Sequence, residues 1–261
     1  MAKESIKLAG QSGLAIAASV EGASDGMPVI LAHGGGQTHR AWKRVSTLLA
    51  SHGFHAIALD LRGHGNSEWA KDGAYDIADF AGDLIAIAAR LERKPALIGA
   101  SLGGLAGIMA EGHLAPGSFA SLTLVDITPQ MEATGVARVV GFMAANYLHK
   151  KSDGRFYWHW DPAFIEGVTR RHMQSDGAVE NGRSELSLAA SRLSLPMHLV
   201  RGGLSDLVSP EAVEHFRKLV PHAAYSDIAG ATHMVVGDQN DEFGAAIVDF
   251  LIGTHAANAS T

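Results

Sequence analysis

The chain has 261 residues, of which 47% are hydrophobic and 18% are charged, so its composition is that of a globular protein with a sizeable core. The net charge of −6 and the absence of a long basic run argue against nucleic acid and anionic membranes as partners. No cysteine is present, which excludes disulfides, thiolate metal sites and a cysteine nucleophile. We find neither a signal peptide nor a run of about 18 apolar residues, and we expect a cytoplasmic location.

Apolar strand patterns alternate with amphipathic helix patterns through most of the chain. A predicted antiparallel hairpin at 6–8 and 14–20 comes first. Continuous apolar runs that suit strands buried on both faces follow at 28–32, 55–59, 96–98, 122–125 and 197–200. Helical patterns lie between them, and two of these begin behind the candidate N-caps Asp76 and Ser209. This alternation predicts a mostly parallel, doubly wound α/β sheet.

The alternation breaks between about residues 127 and 195. This stretch contains three helical patterns, an aromatic-rich run at 156–160 and no convincing strand. We therefore predict a core formed by 1–126 and 196–261, with 127–195 as a helical insertion that caps the carboxyl edge of the sheet. Trp158 and Trp160 are expected in the core of the insertion, with a wall of the pocket as the alternative.

A strand, a sharp turn and a helix meet at Gly99-Ala100-Ser101-Leu102-Gly103. A serine at such a turn has a strained backbone, so the residues two before and two after it must be small, as Gly99 and Gly103 are. The serine hydroxyl then stands exposed above the sheet. The backbone N–H of Leu102 faces an oxygen that becomes negative when the hydroxyl attacks a carbonyl.

Polar residues also follow other predicted strands, and ligands of open α/β sheets bind beyond the carboxyl ends of strands. Asp206 and His233 come late in the chain, and the glycine-rich His33-Gly34-Gly35-Gly36 comes early. A serine nucleophile needs a base, and that base needs an orienting acid. The chain order Ser101, Asp206, His233 is the order expected here. Asp126, which also follows a strand, is the alternative acid.

Together, these pieces and the run Asp60-Leu61-Arg62-Gly63-His64-Gly65-Asn66-Ser67 resemble the α/β-hydrolase superfamily from His33 to His233. The resemblance implies an α/β-hydrolase fold with a helical lid. It implies that Ser101 is the nucleophile, Asp206 the orienting acid and His233 the base. It also implies that Gly35 donates the second oxyanion N–H, while Gly34 and Gly36 stay open as alternatives. His33 and His64 are expected to be structural.

The resemblance is closest to the esterase, cofactor-free haloperoxidase and carbon–carbon hydrolase branch. It implies a serine hydrolase that acts through an acyl-enzyme on a small-to-medium ester or lactone, without cofactor or metal. The alternatives are a perhydrolase, a carbon–carbon hydrolase that binds a substrate carboxylate with an arginine of the insertion, and a non-catalytic receptor. The substrate pocket is expected to include Gly36, Trp158, Trp160 and Asp126. Self-association into a homo-oligomer stays open.

Overall fold

The computed structural model describes residues 4–145, 148–150, 156–158, 160–173, 176–233 and 241–258. The strands are β1 (Glu4–Ala9), β2 (Ala15–Glu21), β3 (Met27–Ala32), β4 (Phe54–Leu59), β5 (Ala96–Ala100), β6 (Ser121–Val125), β7 (Leu148–Lys150), β8 (Phe156–Trp158), β9 (Met197–Gly202) and β10 (Ala224–Ile228). The helices are α1 (Lys43–Ser51), α2 (Ile77–Ala88), α3 (Leu102–Met109), α4 (Ala133–Ala145), α5 (Pro162–Met173), α6 (Asp176–Ser191), α7 (Pro210–Leu219) and α8 (Asp241–Asn258).

Eight strands form one sheet in the order β1-β2-β4-β3-β5-β6-β9-β10. The two pairs that β2 makes, with β1 and with β4, are antiparallel, and the remaining five pairs are parallel. This is the predicted mostly parallel sheet, and the opening hairpin is the predicted one. Since the parallel strands run the same way, β3, β5, β6 and β9 end at one edge, where the candidate site residues follow them.

Helices cover both faces of the sheet, as the doubly wound prediction requires. On one face the core includes Phe80 of α2, Ile108 of α3 and Phe216 of α7. On the other face it includes Leu49 of α1 and Ile247 of α8. Strands buried on both faces explain why their sequences read as continuous apolar runs. None of the helices in the described ranges is both long and apolar enough to span a membrane.

Two predicted helix starts are confirmed by their capping bonds. Asp76 forms a capping box with Asp79, in which each side chain pairs with the backbone of the other residue. The side chain of Ser209 accepts from Ala212 N, with Pro210 at the first helical position. Both caps satisfy N–H groups that the helix itself leaves unpaired, which is why the pattern is readable from sequence.

The segment between β6 and β9 is mostly helical, as predicted, with α4, α5 and α6. The expectation of no strand there is wrong, because β7 and β8 pair as an antiparallel hairpin. Each of these strands has three residues, too few for an alternating pattern to be recognised. The C-terminal half of α6 packs into the main core through Leu186, Ala189 and Ala190. The boundary of the predicted insertion at 195 stays a prediction.

Candidate active site

Ser101 lies at the turn between β5 and α3 with φ +46° and ψ −114°. This backbone conformation is rare for a residue with a side chain, and such strain concentrates at functional sites. A Cβ on Gly99 would come within 2.5 Å of the Gly103 backbone, and one on Gly103 within 2.4 Å of the carbonyl oxygen of Ala32. The two glycines are therefore required by close backbone approach, as the sequence predicts.

His233 follows β10 and pairs with a fully buried carboxylate. Its Nδ1 lies 2.7 Å from Oδ2 of Asp126, the residue directly after β6. The same oxygen accepts from the hydroxyl of Ser205 at 2.6 Å, and Oδ1 accepts from the backbone N–H of Gly202 at 3.0 Å. An ionised carboxylate only accepts hydrogen bonds, so this contact favours the ring tautomer that has its proton on Nδ1 and its lone pair on Nε2.

The prediction that Asp206 orients His233 is wrong for this structure, where Asp126 holds that position. Asp206 instead forms an ion pair with Arg138 of α4, with Nη1 and Oδ2 2.5 Å apart. Asp126 has φ +48°, so its backbone too is in the strained left-handed region. Asp126 was predictable from the sequence as an alternative acid, but Ser205 was not, because no local pattern signals its role.

The glycine-rich loop after β3 uses two of its three N–H groups internally. The N–H of Gly34 donates to Oε1 of Gln37 at 3.0 Å, and that of Gly36 donates to Nε2 of His64 at 3.1 Å. No acceptor for the N–H of Gly35 occurs in the described part of the chain. Of the three glycines that sequence analysis left open, Gly35 is therefore the one with a donor available to a ligand.

His33 and His64 fix this loop through hydrogen bonds with backbone groups, which agrees with their predicted structural role. Nδ1 of His33 lies 2.7 Å from the carbonyl oxygen of Gly34, and its Nε2 accepts from Leu61 N at 2.9 Å. Nδ1 of His64 lies 2.9 Å from the carbonyl oxygen of Arg62. The loop after β4 and the glycine loop after β3 are thus connected through two imidazole rings.

Both rings must be neutral to accept these backbone hydrogen bonds. Burial lowers the pKa of His33 from 6.5 to about 4 and that of His64 from 6.5 to about 3. The carboxylate of Asp60 beside them is held ionised. Burial would raise its pKa, but hydrogen bonds from His39 and from the backbone of Asn66 bring it below the usual value.

We expect the free energy of unfolding to fall when the protein is acidified from pH 7 to pH 5. Unfolded histidines bind protons below pH 6.5 while the buried rings do not, so each ring costs roughly 2 kcal/mol of stability over this range. Urea unfolding at both pH values measures this. His64→Gln removes one titrating ring, so the stability that this variant loses between pH 7 and pH 5 should be smaller than the wild-type loss by that amount. Equal pH dependence in the variant and the wild type would contradict the prediction.

A cavity of about 250 Å³ lies at the carboxyl edge of the sheet, and several of the candidate site residues line it. Its lining includes Ser101, His233 and the glycine loop 34–36, together with Arg138, Val139 and Met143 of α4. Two larger cavities, of about 590 and 430 Å³, lie elsewhere, and none of the predicted site residues lines them.

Of the four predicted pocket residues, Gly36 lines this cavity. Asp126 lies outside the lining, fully buried beneath His233. Trp160 is also outside it: its ring packs behind the glycine loop, 3.3 Å from where a Cβ of Gly36 would be. The burial of Trp160 agrees with the expectation that it belongs to a core, and a pocket role for either residue stays a prediction. Trp158 belongs to β8, and its side chain lies outside the described residues.

A strained serine between strand and helix, and a histidine on a buried carboxylate at the same sheet edge, define the class of α/β proteins with a hydrolase fold. A model of the alpha/beta hydrolase family matches residues 29–246, and the chain belongs to this family.

Two curated relatives and one solved structure illustrate this membership. Esterase Rv0045c of Mycobacterium tuberculosis is 29% identical, with 81% of this chain and 78% of the esterase covered. A non-heme chloroperoxidase of Streptomyces lividans is 34% identical, with 81% and 87% covered. The crystal structure of E-2-(acetamidomethylene)succinate hydrolase is 21% identical and matches with a TM-score of 0.80, covering 96% of this chain and 99% of that one. The last likeness shows the fold.

Proposed function

We propose that the protein is a serine hydrolase that cleaves a small-to-medium carboxylic ester or lactone through an acyl-enzyme. The observation that carries this proposal is the contact of His233 Nδ1 with the buried Asp126, at a cavity that His233 shares with Ser101. The contact leaves Nε2 of His233 as a base for a hydroxyl in that cavity. The esterase relative supports the reaction class.

The proposed reaction has two half-reactions. Nε2 of His233 takes the proton from Ser101 Oγ, which attacks the ester carbonyl, and the imidazolium then protonates the leaving alcohol. The acyl group stays on Ser101 until a water, deprotonated by His233, attacks it and releases the acid. Asp126 keeps the ring in the required tautomer and stabilises the imidazolium.

The oxyanion of both tetrahedral intermediates is proposed to bind the backbone N–H groups of Gly35 and Leu102. Neither N–H has a hydrogen-bond acceptor within the described ranges, whereas Gly34 and Gly36 donate to Gln37 and His64. Removal of one such donor typically raises the barrier by roughly 2.7–4 kcal/mol, so the glycine loop contributes nearly as much as the base.

We further propose that the segment 127–195 is a cap over this site. Three residues of its first helix, α4, line the cavity, and two of them, Val139 and Met143, are apolar.

The carbon–carbon hydrolase alternative needs a cationic group for a substrate carboxylate. Among the arginines 138, 155, 170, 171 and 183 of this segment, only the side chain of Arg138 lies in the described part, and it is paired with Asp206.

A series of 4-nitrophenyl esters from acetate to decanoate tests the proposal. Because the cavity holds about 250 Å³, we expect kcat/KM to peak at a short acyl chain, such as butyrate, and to fall toward decanoate. A serine-directed phosphonate should label Ser101 stoichiometrically and abolish turnover. Labelling without turnover of any ester would overturn the ester assignment, and no labelling would favour a binding protein without catalysis.

Perhydrolysis is the second candidate, favoured by the similarity to the Streptomyces lividans chloroperoxidase. Here a carboxylic acid acylates Ser101 with loss of water, and hydrogen peroxide instead of water releases the acyl group as a peracid. Acetate with hydrogen peroxide distinguishes this candidate. Peracid formation faster than hydrolysis of every ester in the series would replace the first assignment.

A further inference from the structure

An ion pair stands at the cavity that contains Ser101 and His233. Nη1 of Arg138 lies 2.5 Å from Oδ2 of Asp206, and both residues line the cavity. The side chain of Arg138 is 73% exposed and that of Asp206 33%, and the paired oxygen Oδ2 is itself shielded from solvent, so we assign the pair to the mouth of the cavity. Among the described lining residues, no other aspartate, glutamate, lysine or arginine is present.

The position of Arg138 is held by backbone contacts of its helix. The N–H of Glu132 donates to the carbonyl oxygen of Leu207 at 3.0 Å. A Cβ on Gly135 would come within 2.4 Å of the carbonyl oxygen of Asp206, so α4 and the loop 205–208 touch there. Arg138 comes one helical turn after Gly135 and therefore projects from the same side of α4. This contact directs its guanidinium to Asp206.

Compared with these backbone contacts, the ion pair adds little to the free energy of unfolding. Exposed ion pairs generally contribute little to stability, and the backbone contacts already attach α4 to the loop. Its larger consequence is electrostatic. Opposite charges 2.5 Å apart cancel at a short distance, so the lining residues that the structure describes offer an entering substrate no unpaired acidic or basic side chain.

We propose that the pair of Arg138 and Asp206 selects substrates whose acyl group is uncharged; this inference rests on the proposed function. A substrate carboxylate gains no net attraction there, because the arginine that it would contact is already paired with Asp206. A substrate cation likewise gains no net attraction, because Asp206 is already paired with Arg138. Specificity of this kind is a difference of affinities, because a charged acyl group loses hydration at the mouth and receives no counter-charge in return. The substrate class is therefore an ester or lactone with an uncharged acyl chain.

Replacing either Arg138 or Asp206 by a neutral residue should leave the other side chain as an unpaired charge at the cavity. The measured quantity is the ratio of kcat/KM for the anionic ester 4-nitrophenyl hemisuccinate to kcat/KM for the neutral ester 4-nitrophenyl butyrate. With Asp206→Asn, we expect this ratio to rise about tenfold over the wild-type ratio, which corresponds to about 1.4 kcal/mol. With Arg138→Gln, the same ratio should fall, and a 4-trimethylammoniobutyrate ester should gain instead. The double variant should return close to the wild-type ratios, and 0.5 M salt should reduce every shift.

A second exposed pair provides a matched control. Nη2 of Arg44 and Oδ1 of Asp241 are 2.6 Å apart, and neither residue lines the cavity that contains Ser101. Arg44→Gln and Asp241→Asn change the net charge by the same amounts as the test variants. These controls should leave the ester ratios unchanged. Equal shifts in control and test variants would overturn the proposal, since they would reflect net charge alone.

Equilibrium binding separates this proposal from the proposed hydrolysis. Ethers that cannot be cleaved replace the esters: butyl 4-nitrophenyl ether and 4-(4-nitrophenoxy)butanoate, with affinity measured by calorimetry. We expect the anionic ether to bind Asp206→Asn about tenfold more tightly than wild type, and Arg138→Gln to show no gain. This result would support charge selection even if no ester were hydrolysed. Unchanged relative affinities, or no binding of either ether to any variant, would refute it.

Discussion

Ser101→Ala is expected to lower kcat for the best 4-nitrophenyl ester by roughly 10⁴–10⁶-fold, because the attacking hydroxyl of the proposed mechanism is lost. The methyl side chain fits the space of the serine, so the melting temperature should change little. Steady-state kinetics and phosphonate labelling measured by intact mass provide the two readouts. Both turnover and labelling should disappear together.

The matched control for this variant is Ser46→Ala. Ser46 is a buried serine of α1, on the face of the sheet that α1 and α8 cover, and it does not line the site cavity. Its replacement should leave both kcat and labelling as in wild type. Ester turnover by Ser101→Ala at the wild-type rate would exclude Ser101 as the nucleophile and, with it, the proposed mechanism.

Asp126→Asn is expected to lower kcat by about 10⁴-fold, an effect that depends on hydrogen-bond direction. In the structure, Gly202 N–H donates to Oδ1, so the amide oxygen of the variant would occupy that site. The amide NH₂ would then face His233 Nδ1 and force the proton onto Nε2. A ring protonated at Nε2 cannot accept the proton of Ser101.

Asp206→Asn is the comparison that distinguishes the two acids. We expect it to change kcat/KM for neutral esters by less than about tenfold, because its carboxylate pairs with Arg138 and not with His233. Circular dichroism and melting curves should confirm that both variants are folded. The reverse result, with a larger loss for Asp206→Asn, would restore Asp206, the acid that the family resemblance implies.

Much of the fold was predictable because its determinants are local. Continuous apolar runs mark strands buried on both faces, and Asp76 and Ser209 mark helix starts by satisfying free N–H groups. The turn at Ser101 is equally local, since Gly99 and Gly103 are required by contacts within five residues and with the neighbouring strand. The β7–β8 hairpin was missed because its strands are too short to produce a pattern.

The choice among the three loop glycines could not be made from sequence. All three are the same residue type on one short loop, and they differ only in what their N–H groups meet. Gly36 donates to His64, which is 28 residues away in the chain, and Gly34 donates to Gln37. The side chain of His64 reaches the loop because β3 and β4 are neighbours in the sheet, which is a property of the tertiary fold.

By itself, the sequence determined the architecture, the strained serine and the candidate histidine, because each depends on the residue type and its immediate neighbours. The partner of that histidine was decided only by tertiary structure. Asp126 and Asp206 both follow strands and are equivalent in residue type, but Asp126 is 107 residues from His233 and is held by Gly202 and Ser205. Which carboxylate is buried beside the ring depends on how β6, β9 and the loop after β10 converge, and no local pattern records that convergence.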